Sequence, residues 1–479
     1  MSIFSKAAPQ QSTPRTPRPL PDEPYAGLLD VPDGAVITDR ANRGLKHGDV
    51  ARTAPHLMVV GGTGEGKSRT VLIPNIIRWV GRPVVSLSSK GDVAAASIRK
   101  RAQRGPVYLM DLSNEVPEGD LRGVPVTRVR PDPCALIDND NDALRMADLL
   151  QEISSGSDGD AKFWKNLSRR RLAVILRAAG WYPDPETGAR VWGGGVEWAV
   201  DACEDPGPDE VPDVDSDDFE LETPNWNSAY LRARLLKSRH AHSLMVAKRM
   251  DPKQRDSVGM NMIDALNQWA DTDIAGTDGP VEYEPFTPEL LTRGAATLYI
   301  VAPMEGAAVP VSSILVSIVN YWRKRVPLID AGELGAVLFV LDEFTNGTKL
   351  PAQRVQGWVS EGRGLGIRLC MAMQDSSQLE ALWGQADAKV MRRIMPATLI
   401  LPGANEEDIL KSAAAAMLPE ERVTASVDAG GRVSQSRAAA EMNYSQLLPR
   451  EKGEGRLILK GMAGVKVRLP DISATDLLD

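Results

Sequence analysis

Gly61-Gly62-Thr63-Gly64-Glu65-Gly66-Lys67-Ser68 decides how this chain is read. It fits G-x-x-x-x-G-K-[ST], the phosphate-binding P-loop. The flanks agree. Leu57-Met58-Val59-Val60 is an apolar run of the kind a buried strand needs, and Ser68 to Ile73 reads as the start of a helix. Glycines let backbone wrap a phosphate chain without Cβ clashes, so successive N–H groups can point inward. The helix N-terminus behind the loop adds partial positive charge. In such a loop Lys67 reaches the β- and γ-phosphates of ATP, and Ser68 holds Mg²⁺. Residues 61–68 are the expected nucleotide-binding set.

Alternation continues outward from the loop. Pro74 lacks an N–H and ends or kinks the first helix, while suiting the first turn of a new one. Pro83 to Leu87 reads as a strand, a helix extends to about Arg104, and Val107 to Asp111 is the next strand. This is the β-α-β-α-β pattern of a parallel sheet covered by helices. From about 141 to 285 the strands are expected to stop. Ala143–Ile153, Phe163–Ala179, Asn227–Met250 and Lys253–Ala270 read as helices, with an acidic, Pro-broken loop over 201–222. Strands resume at Thr297, a helix is expected from Val311 to Arg325, and Ala336 to Leu341 ends in Asp342-Glu343.

An apolar strand ending in Asp-Glu reads as a Walker B element. Asp342 would serve the Mg²⁺ ion, and Glu343 would polarise the attacking water. Asp342 stands so far downstream of Lys67 that the helical block is read as an insertion into the sheet domain. Gln374 follows the strand from Arg368 and is placed to sense the γ-phosphate. Arg363, between Gly362 and Gly364, could extend to a neighbouring subunit's nucleotide as a finger. A closing hairpin is expected over Arg456–Lys460 and Val465–Leu469.

Composition is that of an ordinary soluble protein: 479 residues, 43% hydrophobic, 25% charged, net charge -8. A negative total still leaves room for a basic channel lining. Cys134, Cys203 and Cys370 show no paired spacing, which suggests a reducing compartment without a disulfide or zinc framework. No run approaches the ~18 apolar residues that span a bilayer. The expected location is cytoplasmic, or peripheral at the inner face of the membrane through a partner. Residues 1–24 are Pro-rich and read as a flexible tail.

Taken together, several strings resemble the conjugative type IV coupling proteins, the TraG/TraD-like branch of the FtsK-type ring ATPases. They are His56 to Gly61 running into the P-loop, Ile73-Pro74-Asn75, Ser89-Lys90-Gly91-Asp92, and Phe163-Trp164 opening a helix. The rest are Leu341-Asp342-Glu343-Phe344, Gly362-Arg363-Gly364-Leu365-Gly366 and Gln374-Asp375-Ser376-Ser377-Gln378-Leu379. The resemblance implies an α/β fold, a RecA-like P-loop domain with a mostly parallel sheet and an inserted all-α domain. The expected division is 25–140 and 286–479 for the sheet domain and 141–285 for the insert.

The resemblance also implies ATP and Mg²⁺ as cofactors and a homohexamer as the active form, with a monomer in isolation. Its implied partners are DNA, a relaxase or other secretion substrate, and type IV secretion channel subunits. Lys67, Ser68, Asp342, Glu343 and Gln374 carry over to the roles above, and Arg363 becomes a finger in trans. Typical members begin with transmembrane helices. This sequence shows none, so either a separate membrane anchor protein recruits it or it is a soluble branch with a changed job. Ser88-Ser89 stand where Asp-Pro is common in the family. Two other readings stay open: an FtsK-type double-stranded DNA translocase, and a secretion ATPase acting on protein substrates.

Overall fold

A computed structural model describes residues 55–474, leaving out 118, 120, 155–158, 211–220, 277–282, 304, 405, 417–419, 428–432, 441–442 and 460–463. The tail 1–24 and the middle of the acidic loop lie outside the described residues.

In chain order the strands are β1 (His56–Val60), β2 (Val84–Ser88), β3 (Val107–Asp111), β4 (Thr127–Arg130), β5 (Trp181–Pro183) and β6 (Arg190–Trp192). They continue with β7 (Glu284–Pro285), β8 (Thr297–Val301), β9 (Val337–Leu341), β10 (Ile367–Met373) and β11 (Ala397–Ile400). Last are β12 (Glu420–Val427), β13 (Val433–Ala440), β14 (Glu454–Leu459) and β15 (Val465–Arg468). One 11-stranded sheet runs β15-β14-β11-β1-β10-β9-β2-β8-β3-β4-β7. Its pairings are parallel except those of β14, which meets β11 and β15 antiparallel.

The apolar runs explain the sheet. β1, β2, β8, β9, β10 and β11 are buried along their whole length, as parallel strands covered on both faces must be. Alternate residues serve opposite faces. Leu57 and Val59 pack with Ile73, Ile76 and Leu338, while Met58 and Val60 join the larger core with Leu341 and Val311. The central order β11-β1-β10-β9-β2 sets one strand, β10, between the P-loop strand and the strand ending in Asp342.

The helical block leaves the sheet after β4 and returns at β7. These two strands are parallel neighbours, with Val129 opposite Glu284. Helices Asp140–Ser154, Gly159–Ala179, Gly195–Glu204, Trp226–Leu235, His242–Lys248 and Pro252–Leu266 fill the interval. Leu172, Ile175, Trp226, Val258 and Met262 are buried among them, in a core continuous with the sheet. At its base the buried Asp132 accepts from Cys134 N at 2.9 Å and Val196 N at 3.1 Å. It thereby ties helix Gly195–Glu204 to the segment leaving β4.

Three sequence expectations are corrected. Strands do not stop within 141–285: β5 and β6 form a hairpin, closed by the Asp184–Thr187 turn and an edge-to-face contact of Trp181 on Trp192. The helix expected over Asn227–Met250 is two helices. Lys237 takes a left-handed φ of 53°, and Ser238 Oγ donates to Asp140 at 2.7 Å, so the chain turns there. The helix expected from Val311 begins at Ala308, and Pro310 is tolerated in its first turn. At Pro74 the expected change of helix is present: the proline stands in the first turn of a new helix. Ser68–Leu72 winds as a π-helical turn and passes directly into helix Ile73–Arg78. Buried Asn75 donates its side-chain amide to Val71 O at 3.0 Å across this junction.

Among the described residues no helix is long and apolar enough to cross a membrane. The three cysteines are free and buried.

Candidate nucleotide site

The site lies along the C-terminal ends of β1, β10 and β9. Gly61, the first residue after β1, passes so close to Leu401 that a Cβ there would stand 2.8 Å from the Leu401 Cβ. Gly64 and Gly66 adopt φ of 82° and 89°, open to glycine and strained for other residues. Gly62, Thr63 and Glu65 complete the loop, with Glu65 N donating to Gly62 O at 3.4 Å. Thr70 closes the following turn with its N on Gly66 O at 2.8 Å.

Lys67 is 8% exposed, and its Nζ donates to Gly61 O at 2.6 Å and Gly62 O at 3.2 Å. Burial pushes its pKa below the usual lysine value, while Asp342, Glu343 and Glu65 pull it back up. Ser68 Oγ donates to Asp342 Oδ2 at 3.2 Å, joining the two ends of a long sequence separation. Burial holds Asp342 above the usual carboxylate pKa, against the opposing pull of Lys67, and the Glu343 charge adds to the rise.

Glu343 has a left-handed φ of 49°, an uncommon conformation for a residue with a side chain. Its carboxylate accepts from Gln374 Nε2 at 3.4 Å on one oxygen and from Asn346 Nδ2 at 3.4 Å on the other. Lys67, Ser68, Asp342, Glu343 and Gln374 therefore stand together. Arg363 does not. It is exposed and precedes β10, at the opposite edge of the sheet. The strand between Arg363 and Gln374 rises roughly 20 Å, so Arg363 stands that far from its own chain's loop.

The sequence reading assigned no role to Asn346, Gln378, Ser376 or Glu406. Gln378 Oε1 accepts from Gln374 N at 3.0 Å and fixes the start of the loop after β10. Buried Glu406 accepts from Ser376 N at 2.8 Å and from Ser376 Oγ at 2.5 Å. Gln378 and Ser376 lie in the quoted Gln374–Leu379 string, which was a usable signal. Glu406 comes from a different loop, with no spacing to announce it.

The donor set suits a Mg²⁺–nucleotide: a buried ammonium held by the loop carbonyls of Gly61 and Gly62, a hydroxyl on a carboxylate, and a glycine loop opening a helix. Together with the sheet order, it defines a RecA-like P-loop protein.

The sequence matches the family model described as "Type IV secretory system Conjugative DNA transfer" over residues 29–412. The chain belongs to that family. No curated protein matches it. Among solved structures it is similar to the conjugative coupling protein TrwB in its unbound monoclinic form, at 15% identity and TM-score 0.53, covering 88% of this chain and 87% of that one. TrwB in complex with ADP and Mg²⁺ matches at 15% identity and TM-score 0.52, over 87% and 86% of the two chains. TrwB with the GTP analogue GDPNP matches at 15% and 0.52, over 87% and 85%. At this identity the likeness establishes the fold.

Proposed function

We propose that this chain is an ATP-hydrolysing coupling protein that moves DNA, delivered by a relaxase, toward a type IV secretion apparatus. Family membership supports the DNA-transfer setting. The observation that carries the ATPase reading is the continuous contact from Ser68 through Asp342 and Glu343 to Gln374 at the ends of three strands.

In this reading residues 61–68 wrap the triphosphate, and Lys67 exchanges its loop carbonyls for phosphate oxygens. Ser68 and Asp342 hold Mg²⁺, which neutralises charge on the β- and γ-phosphates when bound. Glu343, steadied by Gln374 and Asn346, orients the attacking water and draws off its proton. Gln374 reports the state of the site along β10. Arg363 serves a neighbouring subunit in a hexameric ring. Residues 25–140 and 286–479 form the motor, and 141–285 the helical insert. Channel subunits of the secretion apparatus are its further partners.

Two variants test the site. Lys67→Ala should lose ATP binding, because it removes the cation facing the phosphates. Glu343→Gln should keep binding and lose about 10²-fold or more in turnover. Normal turnover in either variant would overturn the assignment. Co-purification of a relaxase or a channel subunit from cells tests the coupling role.

A further inference from the structure

Two strands that are not neighbours are tied together beside the P-loop. In the sheet β1 lies between β11 and β10. The C-terminal ends of β11 and β10 therefore stand two strand spacings apart, roughly 10 Å. The chain leaving β11 closes that gap. At its near end Leu401 N donates to Val60 O at 2.8 Å, and the Leu401 side chain is the one that Gly61 passes so closely. Gly403, with a left-handed φ of 78°, runs beside the P-loop residue Glu65, whose side chain would stand 3.9 Å from a Cβ at that position. At the far end Glu406 is 6% exposed and accepts both hydrogen bonds from Ser376, on its N–H and on its hydroxyl.

Ser376 stands two residues after Gln374, and it is held on every polar group it has. Its carbonyl accepts from Arg392 Nη1 at 3.2 Å, while Arg392 Nη2 donates to Glu380 at 2.6 Å. The loop that carries Gln374 is thus gripped from two directions. Gln378 holds it from the same loop, and Glu406 holds it from the loop that borders the P-loop. A carboxylate is a costly residue for so buried a place. Burial raises the Glu406 pKa above the usual glutamate value, and the bonds from Ser376 and the Arg392 charge offset only part of that rise.

We propose that Glu406 is a positioning residue that couples the P-loop to Gln374. The P-loop rests on Leu401, Glu406 follows in the same loop, and Ser376 passes its position to the Gln374 amide on Glu343. A shift of the P-loop around a phosphate chain then reaches the Glu343 carboxylate from the far side of β1, without passing through the triphosphate itself. Gln378 cannot serve in this way, because it moves with the loop it holds. The inference rests on the hydrolysis reading above and adds to it a residue that touches neither nucleotide nor water.

The test is a double-mutant cycle in the full chain, read as kcat and, separately, as ATP affinity. Glu406→Ala should lower kcat about tenfold, as Gln374→Ala does, with ATP affinity unchanged. The two changes together should also cost about tenfold and not about a hundredfold, since residues that act as one unit do not add. Glu406→Gln keeps an acceptor for Ser376 N and a hydrogen-bonding group for Ser376 Oγ, so turnover should return. Glu406→Asp is one methylene short and should fall between the two; where the alanine variant does not fold, the cycle is run with aspartate. A Glu406 that only supports the fold would lower the unfolding midpoint or ATP affinity and leave kcat intact, or add its loss in full to that of Gln374→Ala. Either result overturns the proposal and leaves the hydrolysis reading standing. A wild-type protein that binds ATP and does not turn it over overturns both.

Discussion

The side-chain amide of Gln374 stands 3.4 Å from the Glu343 carboxylate, joining the ends of the adjacent strands β10 and β9. The contact is long for a hydrogen bond, and in the proposed mechanism it lies where the attacking water would be oriented. Gln374 is held from behind by Gln378 on its backbone N–H. A change in Glu343 can therefore be felt at the end of a strand that crosses the whole sheet.

The first prediction follows from that link. Gln374→Ala should leave ATP affinity nearly unchanged and lower kcat by about tenfold, the signature of an interaction made mainly in the transition state. Stimulation by DNA should fall with it. A matched loss of ATP affinity would place Gln374 in ground-state binding instead. Steady-state kinetics with and without DNA separate the two outcomes.

Glu343 offers a second test. Its φ of 49° is left-handed, and the cost of holding a side chain there is on the order of 1 kcal/mol. Glycine adopts that conformation without strain. Glu343→Gly should raise unfolding stability by about 0.5–1 kcal/mol while abolishing turnover. Denaturant unfolding of the two proteins checks it; a less stable glycine variant would mean that the Gln374 and Asn346 contacts outweigh the strain.

Much of this arrangement was legible because parallel strands buried on both faces must be written as apolar runs. Leu57 to Val60, Val84 to Leu87 and Val337 to Leu341 show it; the loop after β1 was found by its P-loop motif, Asp342-Glu343 by closing an apolar strand, and Gln374 by its place at a strand end. β4 was not legible. It reads Thr-Arg-Val-Arg, because it borders the helical block and needs little apolar surface. The break at Lys237 depends on Ser238 meeting Asp140, a contact between residues distant in sequence. Glu406 was hidden for the same reason. Contacts of that kind carry no local signature in propensity or periodicity.

A third prediction concerns acid. His56 is fully buried at the start of β1, and its Nδ1 accepts from Leu369 N at 3.2 Å. Burial, helped by the Arg368 charge, lowers its pKa from 6.5 to about 3. Below pH 6.5 the unfolded chain takes up a proton that the folded chain refuses. The stability owed to neutral His56 is thus complete above that pH and is lost as pH falls toward 3, by about 1.4 kcal/mol per unit. Between pH 7 and pH 5 this residue alone should cost about 2 kcal/mol. His56→Asn keeps an acceptor for Leu369 N and cannot take up the proton, so its denaturation midpoint should shift less over the same interval. Equal shifts in both proteins would show that other groups govern the acid limb.

The last prediction turns on where Arg363 is not. It lies at the N-terminal end of β10, while the P-loop and Gln374 lie at the C-terminal edge, so it cannot reach its own nucleotide without unmaking the sheet. Its loop is also fixed: Gly364 N donates to Glu361 O at 3.0 Å, and a Cβ on Gly362 would stand 3.0 Å from the His56 ring. If Arg363 completes the site of a neighbouring subunit, specific activity should rise with protein concentration as rings assemble. Arg363→Ala alone should lose about 10³-fold in turnover while binding ATP normally, in the range lost with an arginine finger. Lys67→Ala is dead for a different reason, since it lacks a working loop but keeps its finger. Mixed in one ring, a Lys67→Ala subunit can lend its arginine to the intact loop of an Arg363→Ala neighbour. Some activity should return, largest near equal proportions. An arginine that acts within its own chain, or only supports the loop, gives no recovery in rings shown to contain both variants.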